Sequence, residues 1–153
     1  MRWRSPLILI TATLCACSPG ADDEEMAQQA ATEQAAADTM AMAMAAYDPS
    51  AFDTISWDDP AAAVERGATV FRFSCQKCHG PNGYGDARFV MNGDTLRPPS
   101  FHAEDWPYAD DRDALREQVY IGSLDGMPHW GLEGLKYRDV DAVALYIQAE
   151  LRN

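Results

Sequence analysis

The chain is expected to hold an all-α domain over residues 60–153, and three observations carry that expectation. Apolar residues recur at helical spacing in three stretches, the first two opened by capping residues and the last without one. No stretch alternates apolar and polar residues convincingly enough to be a strand. The segment's 94 residues are few for a self-sufficient core, so a large apolar group held at its centre would supply what is missing.

The first helix is predicted from Pro60 to Cys75, with Asp58 or Asp59 as cap and Pro60 in the first turn. Val64, Ala68, Phe71 and Cys75 form its apolar stripe, which Gly67 interrupts at about 1 kcal/mol relative to alanine. The stripe runs into Cys75-Gln76-Lys77-Cys78-His79. Positions i, i+3 and i+4 share one helical face, so Cys75, Cys78 and His79 can address one planar ligand. Cys-x-x-Cys-His is the attachment signature of c-type haem. The two thiols would bond the haem vinyl groups, and the imidazole would take the iron. A thiol redox pair would be expected beside a βαβ pattern, which is missing. Half of a zinc site would need two further ligands at zinc-like spacing, and no second cysteine pair follows.

Gly80-Pro81-Asn82-Gly83-Tyr84-Gly85 reads as a loop. From there to Tyr108 periodicity is slight, but Phe89, Met91, Leu96, Phe101 and Trp106 suit a segment that wraps a haem edge. Asp110 or Asp111 caps a second helix with Leu115 and Val119 buried, ending before Gly122. The last helix is predicted from Arg138 to Leu151, with Val140, Val143, Ala144, Ile147 and Leu151 as its stripe.

The N-terminal end has a different character. Met1-Arg2-Trp3-Arg4 is basic, and Leu7 to Leu14 is an apolar run too short to span a bilayer. Leu14-Cys15-Ala16-Cys17 resembles a bacterial lipobox, which implies removal of a signal peptide, residues 1–16, and lipid on Cys17. Signal cleavage a few residues later, leaving a soluble periplasmic protein, is the alternative. In either case Cys75 and Cys78 are the thiols left to the exported domain, so no disulfide framework is available in an oxidising compartment.

Residues 17–59 are expected to be an acidic, Ala-rich flexible tether, with ten acidic residues and no Lys or Arg between 18 and 59. Residues 26–46 have high helix propensity and can form a solvated helix. The tract Met40-Ala41-Met42-Ala43-Met44 is soft-ligand chemistry, but with no His or Cys nearby it is taken as spacer. The chain's net charge of −12 makes nucleic acid and anionic surfaces poor partners.

Residues 60–153 resemble a monohaem class I cytochrome c domain. The resemblance rests on the Gly67–Phe71 helix, the Cys75–His79 motif, the Gly126-Met127-Pro128 turn and a final helix with Leu145-Tyr146-Ile147. It implies one covalent haem c, His79 as proximal ligand and Met127 as distal ligand. It also implies that the first and last helices cross, with Gly67 near Tyr146. Pro98-Pro99 resembles the proline segment whose backbone carbonyl fixes the proximal imidazole. His129, His102 and Met91 are the rivals for the distal position.

A protein-supplied sixth ligand favours outer-sphere electron transfer over chemistry at the metal, and a thioether favours Fe(II). The leading expectation is a membrane-tethered electron carrier in a respiratory or related redox chain, not an enzyme. Its partners would be redox donor and acceptor proteins and, through the lipid anchor, the periplasmic face of a bacterial membrane; no small-molecule substrate is expected. The alternative is a haem c subunit of a larger quinol-oxidising or terminal oxidase complex. A gas sensor would need an open distal site and conflicts with Met127.

Overall fold

The computed structural model describes residues 20–91 and 93–152. The expected signal peptide, residues 1–16, and Cys17 lie outside the described residues. The chain divides into two units, Met1–Gln34 and Ala35–Asn153.

In the first unit the described residues open α1, Ala21–Ala46, with Asp22, Asp23 and Glu24 in its first turn. Acidic side chains there suit the positive end of the helix dipole, and alanine supplies the propensity. Residues 21–34 are exposed on every face. Among the described residues no helix is long and apolar enough to cross a membrane.

The second unit starts at Ala35, ahead of the residue-60 boundary expected from composition. Ala43 is fully buried and Phe52 is nearly so, while Tyr47 and Ile55 pack against the same core. The carbonyl of Ala46, left open where α1 ends, accepts from the hydroxyls of Tyr120 and Tyr137 at 3.3 and 3.2 Å. A 3₁₀ turn, Pro49–Thr54, follows, capped by Asp48. Trp57 Nε1 then donates to Asp141 Oδ2 at 2.6 Å. Asp141 is buried and also paired with Arg116, whose guanidinium lies over the Phe52 ring. Residues 35–59 therefore form a strap on the domain. Its few large apolar side chains were diluted in an Ala-rich, acidic stretch, and their partners lie some 70 to 90 positions ahead.

Helix α2, Pro60–Val70, is capped by the Asp59 side chain, which accepts from the Ala61 N–H. Its most buried face is Ala63, Gly67 and Val70, with Val64 and Ala68 only half-buried; the expected stripe is rotated. The reason is α5, Tyr137–Tyr146, which crosses α2 at Gly67. A Cβ on Gly67 would lie 2.0 Å from Ala142 O and 2.6 Å from Tyr146 Cβ, so small residues make the contact. This is the crossing that the resemblance implied. Arg66 pairs with Asp139 at its edge.

Helix α4, Arg112–Ile121, is capped by Asp111 and buries Leu115 and Val119 as expected. Helix α5 buries Val140, Val143 and Ala144 and starts without a side-chain cap, which matches the lack of a capping residue in the sequence. It ends sooner than Leu151, passing into a π turn, Ile147–Leu151. The only sheet among the described residues is a two-residue antiparallel pair, β1 Val90–Met91 with β2 Asp94–Thr95. No strand was expected there, since two residues are too few to show an alternation.

Candidate functional site

The first predicted helix is not continuous into the cysteine motif. After α2 comes a π turn, Phe71–Cys75, whose widened step has the Gln76 N–H donating to Phe71 O. A short helix, α3, Gln76–His79, follows and stops at Gly80, whose φ is 77°. The π turn takes up an extra residue, and such turns are frequent at functional sites. Cys75 is buried on it, while Cys78 and His79 follow on α3, half-buried.

The loop after α3 closes over the histidine. Gly85 N–H donates to His79 O, and Phe101 N–H donates to Gly83 O, both at 2.9 Å. These bonds bring the Phe101 ring onto the imidazole, stacked with centroids 4.7 Å apart. Burial lowers the His79 pKa to about 4, so the imidazole is neutral at pH 7, the form that binds a metal. Its Nδ1 is buried with no hydrogen-bond partner. Pro98 and Pro99 line the same cavity, but the expected bond from a proline carbonyl to Nδ1 is not made. Pro98 O instead packs on Gly85, where a Cβ would sit 2.1 Å away; the missing side chain leaves it that room.

Both thiols are held protonated. Burial pushes Cys75 up to about 12, with Cys78 adding to it, and burial raises Cys78 as well, against an opposing effect from Lys77. A thiol redox pair needs the reverse, a depressed pKa. The two cysteines are free rather than disulfide-bonded.

Cys75, Cys78 and His79 open onto a cavity of about 830 Å³ that Met127 also lines. Phe101, Trp106, Leu115, Val119, Trp130 and Ile147 give it an apolar wall. The volume falls in the upper part of the roughly 300–1,000 Å³ typical of cofactor sites. A buried and a half-buried thiol, a neutral imidazole with an orphaned nitrogen, a thioether and apolar walls are the donor set and surroundings that a haem c fits.

Met127 is fixed by a tight turn. Ser123 N–H donates to Met127 O at 3.0 Å, and Met127 N–H donates to Ser123 Oγ at 3.4 Å. The rivals stand elsewhere. His129 Nδ1 is bonded to Ile121 O. His102 Nε2 is 2.9 Å from Asn82 O, and its ring is stacked on Tyr84. Met91 sits against Gly126. None of the three lines the cavity. Sequence reasoning missed Gln118, whose Nε2 lies 3.5 Å from Met127 Sδ. Its position three residues after Leu115, on the same face of α4, was the available sign.

Comparison with known proteins converges on the same region. Residues 62–147 match the family model described as cytochrome C oxidase, cbb3-type, subunit III. The cbb3-type cytochrome c oxidase subunit CcoP of Cereibacter sphaeroides is 31% identical over 90 residues, 59% of this chain and 28% of that protein. The subunit CcoP of Azospirillum brasilense is 30% identical over 87 residues, 57% of this chain and 28% of that protein. The match thus spans under a third of the length of these curated relatives. No solved structure matches.

Proposed function

We propose that this chain, which belongs to the cytochrome c oxidase, cbb3-type, subunit III family and carries a monohaem class I cytochrome c domain, transfers single electrons between protein partners at a membrane. The observation that carries the reading is one apolar cavity lined together by Cys75, Cys78, His79 and Met127. When bound, the haem supplies a one-electron Fe(III)/Fe(II) couple.

The chain's own residues give that couple its setting. Cys75 and Cys78 would hold the group by two thioether bonds. His79, neutral through burial and braced by Phe101, would offer Nε2 to the iron, since Nδ1 is enclosed. Met127, held by a turn that fixes its backbone, would supply its thioether as the second protein ligand. The walls of Trp106, Leu115, Val119 and Ile147 keep water out and favour the reduced form. Cys17, carrying lipid at the periplasmic face, and the exposed acidic helix after it would keep the domain near the membrane.

The similarity to cbb3-type oxidase subunits favours a second reading, in which the chain is a haem c subunit of a terminal oxidase complex or delivers electrons to one. Both readings share the same site. The test is the double variant Cys75→Ala, Cys78→Ala, expressed alongside the wild type. The wild type keeps its haem through denaturation and acid–acetone extraction, and the variant loses it. Undiminished haem staining of the variant overturns covalent attachment.

A further inference from the structure

We infer that Gln118 is a positioning residue for the Met127 thioether, raising the reduction potential by donating a hydrogen bond to its sulfur. The inference rests on the reading of Met127 as distal ligand.

The side-chain amide of Gln118 has its polar atoms matched to partners. Its Nε2 lies 3.3 Å from Gly122 O and 3.5 Å from Met127 Sδ. Its Oε1 accepts from the Tyr108 hydroxyl at 3.0 Å. A carbonyl only accepts, so the bond to Gly122 O decides which end of the amide is the NH₂ group. The same end is then the one that faces the sulfur. One N–H goes to the carbonyl and the other to the thioether, which is an acceptor only.

The arrangement is anchored from both sides. Gln118 stands on α4 between Leu115 and Val119, both of which line the cavity. Tyr108 is held by its own carbonyl, which accepts from Gln148 Nε2 at 2.9 Å, and by its ring, edge-on to Trp106. The phenol polarises the amide toward the sulfur, as linked hydrogen bonds do. The tight Ser123–Met127 turn holds the methionine backbone, while the amide sets where the sulfur stands.

The direction of the effect follows from charge. An N–H directed at the sulfur draws on its lone pairs and places a positive dipole end beside the iron position. Both weaken the thioether's support of Fe(III) more than of Fe(II), so the bond favours the reduced form. Removing it strengthens the sulfur's support of Fe(III) and lowers the potential.

The test uses the full haem-loaded protein with Gln118→Leu, and Gln118→Met as a second apolar replacement of similar length should the first fail to accumulate. Three properties are read: the sulfur-to-iron charge-transfer band of the oxidised protein, the midpoint potential, and the affinity for added imidazole. A net hydrogen bond of ordinary strength corresponds to roughly a threefold to tenfold change in an equilibrium constant. The variant should therefore favour Fe(III) by that factor, shift its band and bind imidazole several-fold more weakly, because the sulfur then holds Fe(III) harder. Tyr108→Phe should move the potential the same way by less. A variant whose band, potential and imidazole affinity all equal the wild type's overturns the role of Gln118 while leaving Met127 as ligand. A wild type without the band overturns the Met127 reading itself, and the inference with it.

Discussion

Replacing Gly67 by alanine sets two effects of opposite sign against each other. Alanine in a helix interior is favoured over glycine by about 1 kcal/mol, so an exposed position would gain stability. Gly67 is buried where α2 meets α5, and an added Cβ would lie 2.0 Å from Ala142 O and 2.6 Å from Tyr146 Cβ. Both obstacles are backbone or backbone-attached atoms, so no rotamer change relieves them, and the helices must part by roughly an ångström in a close-packed interior. Overpacking of this kind costs about 1–3 kcal/mol; taking the upper end and subtracting the helix gain leaves a net loss of about 2 kcal/mol. At about 4–8 °C per kcal/mol for a small domain, the melting temperature should fall by about 8–16 °C. The shift would also reach the site, because Tyr146 packs on Phe71 and Ile147 lines the cavity. The assay is thermal unfolding of the haem-loaded protein followed by far-ultraviolet circular dichroism, beside its visible spectrum. A melting temperature equal to or above the wild type's would refute the crossing at Gly67.

Three further outcomes are expected. Asp141→Asn keeps the shape of the buried residue but removes the charge that Arg116 and Trp57 share; breaking a buried pair from one side should cost about 3 kcal/mol, read from denaturant midpoints, with Trp57 emission reporting release of the strap. Acid should protonate His79 only late: its folded pKa is depressed to about 4 against 6.5, so its contribution is complete above 6.5 and is lost as pH falls through 4. In the haem-free protein its ring signals in an NMR titration should stay those of the neutral form at pH 5 and shift near pH 4, and a midpoint near 6 would contradict the burial of the ring. Finally, Cys17→Ser should move the haem protein from the membrane to the soluble fraction, whereas retention in the membrane would exclude lipid on that residue as the anchor.

Local chemistry was written in the sequence because it depends on neighbours within one or two turns. Asp59 and Asp111 cap α2 and α4, the stripes of α4 and α5 face the core, and the Cys75–His79 spacing gathers three side chains on one cavity, all through contacts short in sequence. Tertiary structure alone decided what depends on partners far along the chain. Tyr47, Phe52 and Trp57 belong to the domain because Tyr120, Tyr137 and Asp141 receive them, which no window over an acidic, Ala-rich stretch could reveal. The buried face of α2 turned toward Ala63 and Gly67 because α5 comes so close there that only small residues fit. His129 and His102 were rivals to Met127 on residue type, but neither lines the cavity that Met127 shares with the Cys75–His79 motif. Residue type is legible in the sequence, but which residues come together on one cavity is set by contacts between elements far apart along the chain.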